Sequence, residues 1–181
     1  MLSQLLIYDK AVKLTDLDAL IKREEPDIAL LPEFTFNLNK VIDNLELINL
    51  IALNRDCSIL LTPESTEHRR SVQWSKVRSQ LMDQDVLVED DNDKKTESIG
   101  FWFDADKNEI YAFPKLWGLK PVHKVRDGIG VSICGEINHI KTEHLEGVKI
   151  LYNPSNEGCD LFVKARNLNW SGMKINNIKR S

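Results

Sequence analysis

Residues 97–115 read ESIGFWFDADKNEIYAFPK. Two apolar runs, ESIGFWFD and EIYAFPK, flank the polar tetrapeptide ADKN, and this arrangement predicts a β-hairpin. A hairpin joins antiparallel strands, so a sheet containing it is not wholly parallel. The preceding segments decide what else the sheet contains. LLIYD (5–9) is a short apolar run, and LTDLDALIKRE follows with helical spacing at Leu14, Leu17, Leu20 and Ile21. Pro26 stops that helix, and DIALLPEF (27–34) reads as a buried strand closed by Pro32. NLNKVIDNLELINLIALNR (37–55) keeps the helical period over about five turns, and CSILLTP (57–63) is the next strand. Strands alternating with helices around one hairpin predict an α/β domain with mixed sheets.

Residues 64–96 break this rhythm. EHRRSVQWSKVRSQLMDQ is partly helical and EDDNDKK is polar. The stretch is therefore expected as a charged excursion from a single domain spanning 1–181. Arg69, Arg70, Lys76 and Arg78 read as a solvated face, with a partner-binding arm as the alternative. Beyond the hairpin, GIGVSIC (128–134) reads as a strand opened by glycines. EINHIKTEHLEG follows as a short helix stopped at Gly147. VKILYNPS (148–155) is a strand entering a loop, and LFVKARNLNWSGMKINNIK supplies a last helix.

Composition excludes several classes of function. With 181 residues, 42% hydrophobic and 29% charged, the chain has the balance of an ordinary globular domain. A formal charge of −4 offers no global basic field for nucleic acid. No apolar run approaches the roughly 20 residues that span a bilayer, so no membrane partner is expected. MLSQLLIYDK lacks the basic flank and long apolar stretch of a signal peptide, so the cytoplasm is the expected address. Cys57, Cys134 and Cys159 are an odd set without a CxxC, which argues against a disulfide framework or zinc knuckle. GIGVSICG lacks the GxGxxG order and no GxSxG elbow occurs. In EINHIKTEH, Glu136, His139 and Glu143 share one helical face, but there is no HExxH. A solvated helix face accounts for that stretch, so no metal is expected there.

Three strands end in polar residues: Glu33 after IALLP, Lys115 after IYAFP and Cys134 after GVSI. Ligand sites of α/β sheets gather beyond the carboxyl ends of strands. Taken together, the three describe a working set. Cys134 is the candidate nucleophile, favoured as thiolate by the start of the helix near Glu136. Glu33 is the candidate base, taking the thiol proton and later activating water. Lys115 is the candidate oxyanion stabiliser, together with a backbone N–H near Gly135. Trp117 could stack on a substrate or simply close the pocket by packing. Asn153 and Ser155 lie on the loop NPSNEGCD, a second candidate pocket wall or a plain strand terminus. Glu136, two after the cysteine, is a candidate substrate-binding or oxyanion residue, and is equally well explained by capping electrostatics.

DIALLPEF, FPKLW, VSICGEI and ILYNPS, in this order, resemble the carbon–nitrogen hydrolase (nitrilase) superfamily from about residue 5 to about residue 170. The resemblance implies an αββα sandwich, two mixed sheets between helical layers, here lacking the C-terminal strands. It implies a Glu33–Lys115–Cys134 triad that hydrolyses a non-peptide C–N bond in a small amide or nitrile through a cysteine thioester. It also implies assembly into a homo-oligomer, and neither a metal nor an organic cofactor. Members commonly carry a further glutamate between lysine and cysteine, whereas LWGLKPVHKVRDGIGVSI contains none, which leaves Asp127 as the stand-in. A catalytically inactive binding or assembly module of the same fold is the alternative reading.

Overall fold

The computed structural model describes residues 4–6, 13–31, 36–63, 71–90, 94–116, 119–155 and 174–179. In chain order the elements are β1 (Gln4–Leu6), α1 (Leu14–Glu24), β2 (Ile28–Leu30), α2 (Leu38–Ile42), α3 (Leu45–Asn54) and β3 (Ser58–Leu61). They continue with β4 (Val72–Gln73), α4 (Trp74–Met82), β5 (Leu87–Val88), β6 (Lys95–Thr96), β7 (Ile99–Asp104) and β8 (Glu109–Pro114). β9 (His123–Arg126), β10 (Ile129–Val131), β11 (Ile150–Ser155) and β12 (Lys174–Lys179) complete the set, with 3₁₀ turns at Cys134–His139 and Thr142–Leu145. No helix among the described residues is long and apolar enough to cross a membrane.

Two mixed sheets result. The first has the order β1-β2-β3-β7-β8-β5, parallel from β1 to β3 and antiparallel across β3-β7-β8, with β5 parallel to β8. The second has the order β12-β11-β10-β9, parallel except for the β9–β10 pair. Side chains alternate across a pleated strand, and the burial pattern follows that period. Ala29, Leu31, Ile59, Leu61, Phe101, Phe103 and Ala112 face the helices, in one cluster with Leu17, Ile48, Trp74 and Leu81. Ile28, Leu30, Leu60, Trp102 and Phe113 face the other way and pack against Ile129, Val131, Ile133 and Tyr152 of the second sheet. The outer face of the second sheet is covered by Ile137, Ile140 and Leu145 from the two 3₁₀ turns. The architecture is therefore the expected sandwich of two mixed sheets.

Several elements depart from the sequence expectation. The helix expected over 37–55 is broken into α2 and α3 at Asp43 and Asn44. The Asn44 side-chain amide donates to the Lys40 carbonyl at 2.8 Å, a local alternative to continuing the helix. Residues 136–147 form 3₁₀ turns rather than a helix, with extended Ile140 between them. Residues 174–179, expected within a last helix, pair in parallel with β11 over six positions. The two asparagines of KINNIK favour a helix weakly, and the free edge of β11 needs partners. Within the expected charged excursion, the described residues 71–90 pack on the body: Trp74, Val77 and Leu81 of α4 are buried and β5 edges the first sheet. Arg78 pairs with Asp90 at 3.0 Å, whereas Arg69 and Arg70 lie outside the described residues.

Gly100 shows how tightly the hairpin is packed. It sits opposite Phe113 in the β7–β8 ladder, and a Cβ there would lie 2.2 Å from the Phe113 ring. Gly100→Ala should therefore lower the unfolding free energy by about 1–3 kcal/mol, measured by urea titration.

Candidate active site

The pleat decides which strand-end side chains share a space. Phe113 points between the sheets, so Lys115, two residues on, belongs to the same side. Val131 and Ile133 also point there, and Cys134 packs against the same cluster. The two predicted strand ends thus converge on the inter-sheet layer from opposite sheets. Lys115 is 3% exposed, and its backbone is pinned on both sides. Its N–H donates to the Ser98 carbonyl at 2.9 Å, and the Thr96 hydroxyl lies 3.0 Å from its carbonyl oxygen.

One side chain joins these ends directly. Glu136 is fully buried, and its Oε1 accepts the Leu116 N–H at 2.5 Å while its Oε2 accepts the Ile133 N–H at 3.1 Å. Leu116 follows Lys115 and Ile133 precedes Cys134, so one carboxylate spans both candidate positions. The Glu136 N–H in turn donates to the Ile133 carbonyl at 3.1 Å, closing a ring around Cys134 and Gly135. Within that ring Cys134 adopts φ +47°, left-handed backbone that costs an L-residue roughly 1–2 kcal/mol. Asn153 supports the turn from the second sheet, its Nδ2 donating to the carbonyls of Ser132 at 2.5 Å and Cys134 at 3.0 Å. Such strain persists where surrounding contacts over-determine it. Cys134 is half-buried, and Gly135 is half-buried beside it.

A second set of buried polar groups lies along β8. The Glu89 N–H donates to the Ala112 carbonyl at 2.9 Å, which seats its side chain in the same layer. Glu89 Oε1 accepts from the Tyr111 hydroxyl at 2.9 Å and from Lys120, and Oε2 lies 2.7 Å from His123 Nδ1. The His123 ring stacks on Phe113 with centroids 4.5 Å apart. Burial alone would raise the Glu89 carboxyl, but His123 and Lys120 outweigh it and hold it down at about 2. Burial alone would lower His123, but the Glu136 and Glu89 carboxylates outweigh it and keep the ring above its ordinary 6.5. Burial and the neighbouring Glu89 raise the Tyr111 hydroxyl, so it stays a donor.

Of the predicted residues, the structure brings Lys115, Cys134, Gly135, Glu136 and Asn153 to one end of the sandwich. Glu33 and Trp117 lie outside the described residues. Ser155 ends β11, with only its backbone position described. Asp127 is corrected as a stand-in for the absent glutamate. It occupies the turn between β9 and β10, at the far end of β10 from Cys134, and it is exposed. The expected helix dipole behind Cys134 is also corrected, because a short 3₁₀ segment rather than an α-helix follows, and it starts at Cys134 itself. His123 and Glu89 were missed. The Asp127–Gly128 pair, with Gly128 at φ +75°, is a hairpin signal that would have found β9 and hence His123.

No family model and no curated protein matches the sequence. Solved structures match the fold. The NitN amidase from Nesterenkonia sp. AN1 superposes on 99% of this chain and 76% of its own, with TM-score 0.56 and 12% identity. A cysteine-to-serine form of that amidase, of the nitrilase superfamily, covers 99% and 74% with TM-score 0.57 and 11% identity. Another form, with the acetamide moiety of fluoroacetamide added at the active-site cysteine, covers 99% and 74% with TM-score 0.57 and 11% identity. The fold is nitrilase-like. At these identities the likeness is one of fold, and the chemistry rests on the side chains described above.

The buried charges carry a pH signature. Glu89 is depressed from 4.5, so its contribution is present above that pH and is lost as pH falls toward about 2. His123 is raised, so its contribution is full below 6.5 and is lost as pH rises through the higher folded value. The stability these two groups supply should therefore be greatest between pH 4.5 and 6.5. Glu89→Gln should cost about 3 kcal/mol or more and flatten both declines, as read from urea unfolding across pH.

Proposed function

We propose that the protein hydrolyses the C–N bond of a small amide through a thioester on Cys134. The observation that carries this reading is the Glu136 carboxylate, which fastens the Lys115 strand end to the Cys134 turn across the sandwich. A buried lysine and a half-buried cysteine on a strained turn, facing one layer, make a set suited to acyl transfer. The Cys134 sulfur attacks the amide carbonyl carbon, its proton passing to a base, and the carbonyl oxygen becomes an oxyanion beside Lys115. Collapse expels the amine, which takes up the proton, and leaves the acyl thioester. Water then adds to the thioester carbon and restores the thiol with release of a carboxylic acid. Glu33 fills the role of base by resemblance of LPE to the superfamily motif. The amidases of like fold with an active-site cysteine support the amide over other C–N substrates.

The remaining described thiol behaves differently. Cys57 is fully buried, and burial pushes it up to about 12, so it is almost entirely protonated at neutral pH. Intact-mass analysis after incubation with a panel of small amides should reveal an acyl adduct, mapped by peptide mass to Cys134. Cys134→Ala should abolish the adduct and turnover while keeping the unfolding midpoint near that of the parent. Iodoacetamide should label Cys134 far ahead of Cys57, and equal slow labelling of both would instead favour an inactive module. Lys115→Ala should lower kcat by about 10²–10³-fold, consistent with loss of one oxyanion donor.

A further inference from the structure

Lys120, Glu89, His123 and Glu136 form a line of alternating charge that the hydrolytic steps above leave unused. It begins at half-exposed Lys120 on Glu89 Oε1 and passes from Glu89 Oε2 to His123 Nδ1 at 2.7 Å. From His123 Nε2 it reaches Glu136 Oε2 at 3.8 Å and ends on the Leu116 and Ile133 N–H groups. Glu89 is 5% exposed, and His123 and Glu136 are fully buried. The line also crosses the sandwich: Glu89 follows β5 of the first sheet, whereas His123 opens β9 of the second.

The gap of 3.8 Å decides what the imidazole does. It exceeds a hydrogen bond, and His123 Nε2 has no hydrogen-bond partner among the described residues. Both Glu136 oxygens are already held by backbone N–H groups. His123 therefore acts on Glu136 through charge. In the neutral ring the proton stays on Nδ1 facing Glu89, and the Nε2 lone pair turns toward the Glu136 carboxylate. Protonation replaces that lone pair with an N–H, and repulsion becomes attraction.

We infer that His123 is a positioning residue for the hydrolytic site: its imidazolium, clamped between Glu89 and Glu136, holds the carboxylate that spaces Lys115 from Cys134. The inference deepens the proposed hydrolysis and rests on it. The groups facing the ring from each packed element are consistent with this role. Glu89, from the end of β5, also carries Lys120 and the Tyr111 hydroxyl. β8 contributes the Phe113 ring and, farther along, buried Lys115. The turn after β10 contributes Glu136.

The test follows hydrolysis of an amide that acylates Cys134, from about pH 5 to about pH 9.5, alongside an NMR titration of the imidazoles. Wild-type kcat should fall on the alkaline side as His123 loses its proton, with KM nearly constant. His123→Gln should lower kcat about tenfold or more and lack that limb. Glu89→Gln should move the limb to lower pH by about one unit. Profiles of both variants that superimpose on the wild type would overturn the role of His123 while leaving the hydrolase reading intact. A His123 ring already neutral at pH 7 in the wild type would overturn it without any variant, which covers the case of a variant that fails to fold. Absence of acylation by every amide would instead sink the hydrolase reading, and this inference with it.

Discussion

The Glu136 carboxylate accepts one backbone N–H from the end of a strand in the first sheet and another from the end of a strand in the second. Burying a carboxylate is costly unless its oxygens are satisfied, and here each oxygen is. The side chain thus does across the sandwich what ladder hydrogen bonds do within a sheet. Its two anchors lie next to Lys115 and Cys134, so the spacing of those residues depends on one short bridge. Asn153 holds the same turn from another strand, and the Lys115 backbone is fixed by Ser98 and Thr96. Positioning of this kind, by backbone contacts on rigid strands, suits a site that must hold reacting atoms within a fraction of an ångström.

β8 organises the rest. Tyr111 meets Glu89, Phe113 meets His123, Lys115 enters the same layer and Leu116 meets Glu136. The inter-sheet layer is apolar at its centre, where Ile28, Leu60, Trp102 and Tyr152 pack, and ionisable toward the strand ends. Charges at that depth survive because they alternate in sign. The contrast between the two described cysteines follows from the same layering. Cys57 sits in the apolar cluster under the helices, whereas Cys134 lies at the polar end of the inter-sheet layer.

What could be read in the sequence was set by local pattern. The hairpin of residues 97–115 follows from short-range alternation and holds in three dimensions, with Lys115 directly after β8. Cys134, by contrast, lies beyond the end of β10 and opens a 3₁₀ segment. Glu136 is readable in the sequence only as an acidic residue two after Cys134, but its work is a contact with Leu116, which no local pattern encodes. Glu89 lies in EDDNDKK, and a run of charges reads as solvated. Its burial comes from the pairing of β5 with β8, a long-range event. At Asn44 the side-chain amide bonds the Lys40 carbonyl, and there the chain leaves the helix that periodicity favours.

Trp102, Phe113 and Tyr152 stand between the sheets as spacers, and Gly100 leaves room for the Phe113 ring. Interiors packed to this density transmit a change in volume rather than absorb it. A bulkier or slimmer residue at a spacer would widen or narrow the gap at the strand ends without touching a reactive side chain. The width of that gap and thermal robustness are then two readings of one dimension. A lineage that altered the gap through the aromatic core would carry a change in stability with it.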